Sequence, residues 1–114
     1  REAKLEDVTE TTAFNRIEWN DNKIGIITSG IAYQYVREIM PDASILKLGM
    51  TFPLPKKKIK EFADKVDRLF VVEELEPYIE DEIRIMGLAV EGKAFFPKLD
   101  ELSPDVVAAG FAEA

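Results

Sequence analysis

The spacing of apolar residues changes repeatedly along this chain, and each change marks an element. Phe14 to Trp19 (FNRIEW) alternates in part, with Ile17 and Trp19 on one side, and predicts a short strand. Asp21-Asn22 predicts a turn after it. Ile24-Gly25-Ile26-Ile27-Thr28 is a short continuous apolar run, the texture of a strand buried on both faces of a parallel sheet. Ser29-Gly30 follows at once. Ala32, Tyr35, Val36 and Ile39 then fall at i, i+3, i+4 and i+7, which is one face of a helix. Ser29 is the expected N-cap. Pro41 stops the helix, because it lacks an N–H donor and restricts Met40 before it.

The alternation continues. Ser44 to Leu48 predicts a second parallel strand, and Gly49 to Pro55 a loop, with Pro55 placed to start a helix. Ile59, Phe62, Ala63 and Val66 repeat the helical spacing. Arg68 to Glu73 (RLFVVE) predicts a third parallel strand. Glu76-Pro77 opens a helix carrying Ile79, Ile83 and Met86, ended near Gly87. Lys93 to Phe96 predicts a last short strand, and Ser103-Pro104 a last helix with Val107, Gly110 and Phe111 on one face. The order β, then β-α-β-α-β-α-β-α, predicts an α/β fold: a mostly parallel, five-stranded sheet between helix layers, a three-layer α/β/α sandwich. Arg1 to Thr12 has no strong period and reads as a connector from an upstream domain, with residues 13–114 as a single domain. The start at Arg1, without Met, suggests a piece of a longer protein, and these first residues carry no signal-peptide pattern.

Composition narrows the chemistry. The chain has 114 residues, 46% hydrophobic, which suffices for one packed domain. It contains no Cys and no His, which excludes disulfides, iron–sulfur ligation, thiolate nucleophiles, Ser-His-Asp triads and most zinc sites within these residues. The net charge is −7, so nucleic acid is a poor partner. No apolar run approaches the ~20 residues that cross a bilayer, so a membrane partner is not expected either.

Ligands of open α/β sheets bind at the carboxyl ends of the strands. Thr28-Ser29-Gly30 falls there and would offer backbone N–H groups to an anion at a helix N-terminus; the plainer reading is a Ser cap and a tight Gly turn. Glu73-Glu74 also falls there. Paired carboxylates do acid/base work or hold hard metals, yet near a helix start they also favour its dipole, and they could contact a neighbouring domain. Lys56-Lys57-Lys58, with Lys60, opposes the dipole at a predicted helix start. It reads either as a solvated face or as a dock for an acidic partner or a phosphate. Tyr33 falls off its helix's apolar face and is expected to meet a neighbouring domain. No GxGxxG or GxxxxGK[ST] phosphate loop is present.

Three stretches carry a family likeness: Lys23 to Tyr33 (KIGIITSGIAY), Leu46 to Pro55 (LKLGMTFPLP) and Val71 to Pro77 (VVEELEP). Asn15-Arg16-Ile17-Glu18, Gly92-Lys93 and Glu101-Leu102-Ser103-Pro104 extend it over nearly the whole chain. Together they resemble the α subunits of indolepyruvate:ferredoxin oxidoreductases, in the domain that is similar to the C-terminal domain of transketolase-like thiamine enzymes. The resemblance implies strand order 1-3-2-4-5, with strand 1 antiparallel. It also implies a cytoplasmic parent enzyme that oxidatively decarboxylates aryl pyruvates to acyl-CoA. Thiamine diphosphate, Mg2+, [4Fe-4S] clusters and coenzyme A would serve that enzyme, with ferredoxin as electron acceptor. Other domains of the α subunit, and the β subunit, would be this domain's partners. No catalytic residue carries over, because the cluster cysteines and the glutamate motif of the thiamine site are not in this stretch. The expected role is a non-catalytic docking domain with no cofactor of its own. The alternative is a module that binds the phosphates of coenzyme A or a nucleotide. An independent small enzyme is disfavoured by the lack of His, Cys and a phosphate loop.

Overall fold

The apolar run at Ile24–Thr28 becomes the middle of a mixed sheet. The computed structural model describes residues 15–49, 54–73, 78–92 and 104–113. Among these, the elements in chain order are β1 (Arg16–Glu18), β2 (Asp21–Ser29), α1 (Ile31–Ile39), β3 (Ala43–Leu48), α2 (Lys56–Asp64), β4 (Arg68–Val72), α3 (Tyr78–Ile85) and α4 (Pro104–Glu113). The sheet order is β1-β3-β2-β4. β2 pairs in parallel with both β3 and β4, while β1 runs antiparallel to β3.

Side chains of a strand alternate between faces, so a continuous apolar run requires cover on both. That cover is present. Ile27, Leu46, Leu48, Leu69 and Val71 face one core with Ile59 and Phe62 of α2 and Ile79 and Ile83 of α3. Ile26, Ile45, Phe70 and Val72 face the other with Ala32 and Val36 of α1 and Val107 of α4. The helical spacings read from the sequence mark these buried faces. Ile17 of β1 packs into the α2 side, and Trp19 stacks on Phe62 at 5.4 Å. α2 and Val66 just beyond it lie so close to β2 that a Cβ on Gly25 would stand 2.7 Å from both Val66 methyls and 2.9 Å from the Phe62 ring.

The expectation of an α/β fold with a mixed sheet and helices holds. The sheet has four strands among the described residues. The expected fifth strand, Lys93 to Phe96, lies outside them, as do the connector at residues 1–12, Pro77 and Ser103. Glu91, just ahead of that segment, makes a single parallel bridge to Phe70. Two local expectations are corrected. Asp21-Asn22 lies within β2 rather than in a separate turn. Its turn chemistry survives as an irregularity there: Asp21 Oδ1 accepts the Lys23 N–H at 2.9 Å, and the register jumps between Asp21 and Gly25. Ser29 is not the cap of α1. It stays in β2, paired with Leu48, and Gly30 takes the cap position at φ 59, ψ −140, backbone that a side chain disfavours.

Candidate functional site at the carboxyl edge of the sheet

The parallel registers bring the ends of β2, β3 and β4 to one edge, with Thr28 beside both Lys47 and Val72. Thr28 is fully buried, and its hydroxyl donates to the Val72 carbonyl at 2.9 Å. The hydroxyl therefore ties two strands together. After Gly30, α1 begins with no side-chain cap and no acidic residue in its first turn. α2 begins the same way behind Pro55.

Glu73 leaves the end of β4 and turns back onto α3. One carboxylate oxygen accepts the Ile79 N–H and the other the Glu80 N–H, both at 2.9 Å. These are donors that the first turn of a helix leaves without intrahelical partners, and the negative charge sits at the positive end of the dipole. Glu73 is thus spent on α3. Glu80 in turn holds Arg84, whose guanidinium also donates to the Val90 carbonyl at 2.9 Å. Glu74 lies outside the described residues, as do Met50 and Thr51.

The lysine run divides. Lys56 and Lys57 are exposed. Lys58 turns inward, donating to the Asn15 carbonyl at 3.0 Å, and Lys60 pairs with Asp64 at 3.4 Å. Asn15 is itself buried, and its side-chain oxygen accepts the Gly49 N–H at 2.8 Å. Asn15 therefore fastens the entry of β1 to the exit of β3, a role that no local pattern announces.

A second polar cluster lies beside β1, on the α1 face. Glu18 accepts the Tyr33 hydroxyl at 2.7–2.8 Å, Arg37 at 2.6 Å and Arg16 at 3.2 Å. Burial pushes the Glu18 carboxyl up, and the bonds from Tyr33, Arg37 and Arg16 more than offset it, holding it below the usual carboxylate range. Tyr33, expected to meet a neighbouring domain, is half-buried within this one, with its hydroxyl anchored on Glu18. Lys47 Nζ stands 4.5 Å from the centre of that ring, and the Arg16 guanidinium 5.8 Å.

No family model matches the chain. It is 33% identical over 112 residues to the indolepyruvate oxidoreductase subunit IorA of Pyrococcus horikoshii, a match covering 88% of this chain and 17% of that protein. The subunit IorA of Thermococcus kodakarensis gives the same identity and the same coverage. That of Archaeoglobus fulgidus is 33% identical over 118 residues, covering 97% of this chain and 19% of the protein. This chain belongs with the IorA subunits, as one segment of them. It spans under a fifth of the length of these curated relatives.

The donor set of this IorA segment does not fit the iron–sulfur clusters that the family resemblance implies. Iron–sulfur clusters are held by cysteine thiolates, and the segment has no Cys. Among the described residues, no three His, Cys, Asp or Glu side chains gather where a metal ion could be held. No helix among them is long and apolar enough to cross a membrane.

Proposed function

We propose that this IorA segment is a non-catalytic packing domain of a larger oxidoreductase. The parent is read as a cytoplasmic, thiamine-diphosphate-dependent enzyme that decarboxylates indolepyruvate and other aryl pyruvates to acyl-CoA. It would use Mg2+, [4Fe-4S] clusters and coenzyme A and pass electrons to ferredoxin. The domain would pack against the rest of the α subunit and the β subunit, and would bring no cofactor of its own.

The observation that carries this reading is the fate of the polar groups at the carboxyl edge. Thr28 ties β2 to β4, Asn15 ties β1 to β3, Lys58 holds Asn15, and Glu73 caps α3. Side chains engaged in this way stiffen the edge. Chemistry in the parent enzyme then belongs to its cofactors, with protein supplying orientation.

Thr28→Val and Glu73→Gln in the complete enzyme test it. Turnover per assembled enzyme should stay near wild type, while thermal stability falls. Loss of turnover by a hundredfold or more in a folded, assembled variant would place these groups in the chemistry and overturn the reading.

The uncapped starts of α1 and α2, with Lys56 and Lys57 exposed on the latter, favour one alternative: a site for the phosphates of coenzyme A or a nucleotide. Titration calorimetry with coenzyme A decides it. Heat that disappears in Lys56→Glu supports phosphate binding, and no heat removes it.

A further inference from the structure

The β1 edge gathers positive charge in a chain whose net charge is −7. Arg16 and Lys47 stand directly opposite each other on the antiparallel pair β1–β3. Like charges in that position destabilise a sheet. Glu18 is the acid at this place, and it is already shared between Tyr33, Arg37 and Arg16. Among the described residues Lys47 has no carboxylate partner; its ammonium rests on the Tyr33 ring. Among the described residues, Arg16, Arg37 and Lys47 against one Glu18 give the patch an excess of two positive charges. It spans β1, the outermost strand of the sheet among the described residues, and the adjoining β3 and α1.

We propose that Arg16 and Lys47, set around Tyr33, form a docking surface for an acidic segment of the parent protein outside these 114 residues. The occupant follows from charge and from extent. A carboxylate-bearing segment would supply the anion that Lys47 lacks among the described residues. Relatives more than five times as long as this chain have the remaining polypeptide to provide it. A guanidinium fork and an ammonium suit a carboxylate, and Tyr33, locked by Glu18, holds Lys47 in place for it. This inference rests on the packing role proposed above and specifies its contact.

The test is carbodiimide cross-linking of the complete enzyme, followed by peptide mass spectrometry. The expected product joins Lys47 to an Asp or Glu beyond this segment. Its yield should fall several-fold in high salt, and it should be absent from Lys47→Met, which keeps the aliphatic cover on Tyr33. Arg16→Gln should lower it. Amine acetylation of the wild-type enzyme needs no variant: Lys47 should be shielded in the assembled enzyme and reactive in the isolated segment. Lys47 equally reactive in both, or joined only to acids within these residues, overturns the proposal. Shielding that appears only when inorganic pyrophosphate is added assigns the patch to a phosphate ligand and also overturns it. Turnover separates the two readings. A captured Lys47 with turnover lost in Glu73→Gln counts against the packing role alone, while a reactive Lys47 with turnover intact counts against this surface alone.

Discussion

Replacing Glu73 by Ala removes both acceptors at the start of α3 in one step. The N–H groups of Ile79 and Glu80 each sit 2.9 Å from a carboxylate oxygen, and Glu73 keeps only 7% of its surface exposed. Loss of an N-cap costs about 0.5–2 kcal/mol. Each hydrogen bond to a charged group contributes about 1.5–3 kcal/mol. Water entering at the edge of the sheet recovers part of that, so the expected loss is about 2–4 kcal/mol. That is a large share of the roughly 5–15 kcal/mol by which a domain is stable. Glu73→Gln sharpens the test, since its volume is almost unchanged. Its amide oxygen can still accept one N–H, but its NH2 then meets the other, donor against donor, and the charge at the dipole is gone. Glutamine should therefore cost nearly as much as alanine. Urea unfolding of the 114-residue chain, followed by far-ultraviolet dichroism, reads the difference. At a slope of about 2 kcal/mol per molar urea, the midpoint should drop by roughly 1–2 M with the slope unchanged. A glutamine variant as stable as wild type would falsify the capping account.

Other perturbations probe different contacts. Gly25→Ala forces a methyl against Val66 and Phe62 and should cost about 1–3 kcal/mol in the same unfolding measurement; no loss would show that α2 gives way freely. Gly30→Val places a branched side chain at φ 59 and should lower the melting temperature more than Ser29→Ala, whose side chain does not cap α1; the reverse ranking would restore Ser29 as the cap. Glu18 titrates below the usual carboxylate value, so its contribution is complete above about pH 4.5. It is lost as the pH falls through the lower folded value. The stability gap between wild type and Glu18→Gln should accordingly be flat near neutrality and close in acid. A gap that persists unchanged after Glu18 is protonated sinks this assignment.

What could be read in the chain, and what could not, divides by range. The faces of α1, α2 and α3 were legible because each helix packs on the sheet through residues spaced by its own turn, as with Ala32 and Val36 or Ile59 and Phe62. The central strands were legible because both faces of β2 are covered. The start of α1 was not: a Ser before a helical run is the usual cap, but pairing with Leu48 keeps Ser29 in the strand and passes the turn to Gly30. Glu73 was legible as an acid near a helix start. Its reach to the N–H groups six and seven positions on was not, because no local rule pairs a side chain with donors that far ahead. Asn15 and the Glu18–Tyr33–Arg37 cluster escaped for the same reason. Their partners lie between 15 and 43 residues away in the chain, and only the antiparallel docking of β1 on β3 brings them together.

The central place of β2 also sets an order of events at the ribosome. Its partners across the sheet lie downstream, and 44 residues separate Ile24 from Arg68, the first pair it makes with β4. At translation rates of about 5–20 residues per second, one side of this apolar strand stays without its neighbour for roughly 2–9 seconds after it is made. During that interval the nascent segment presents sticky backbone to any passing chain. The open side of β2 closes only when β4 has emerged and paired with it.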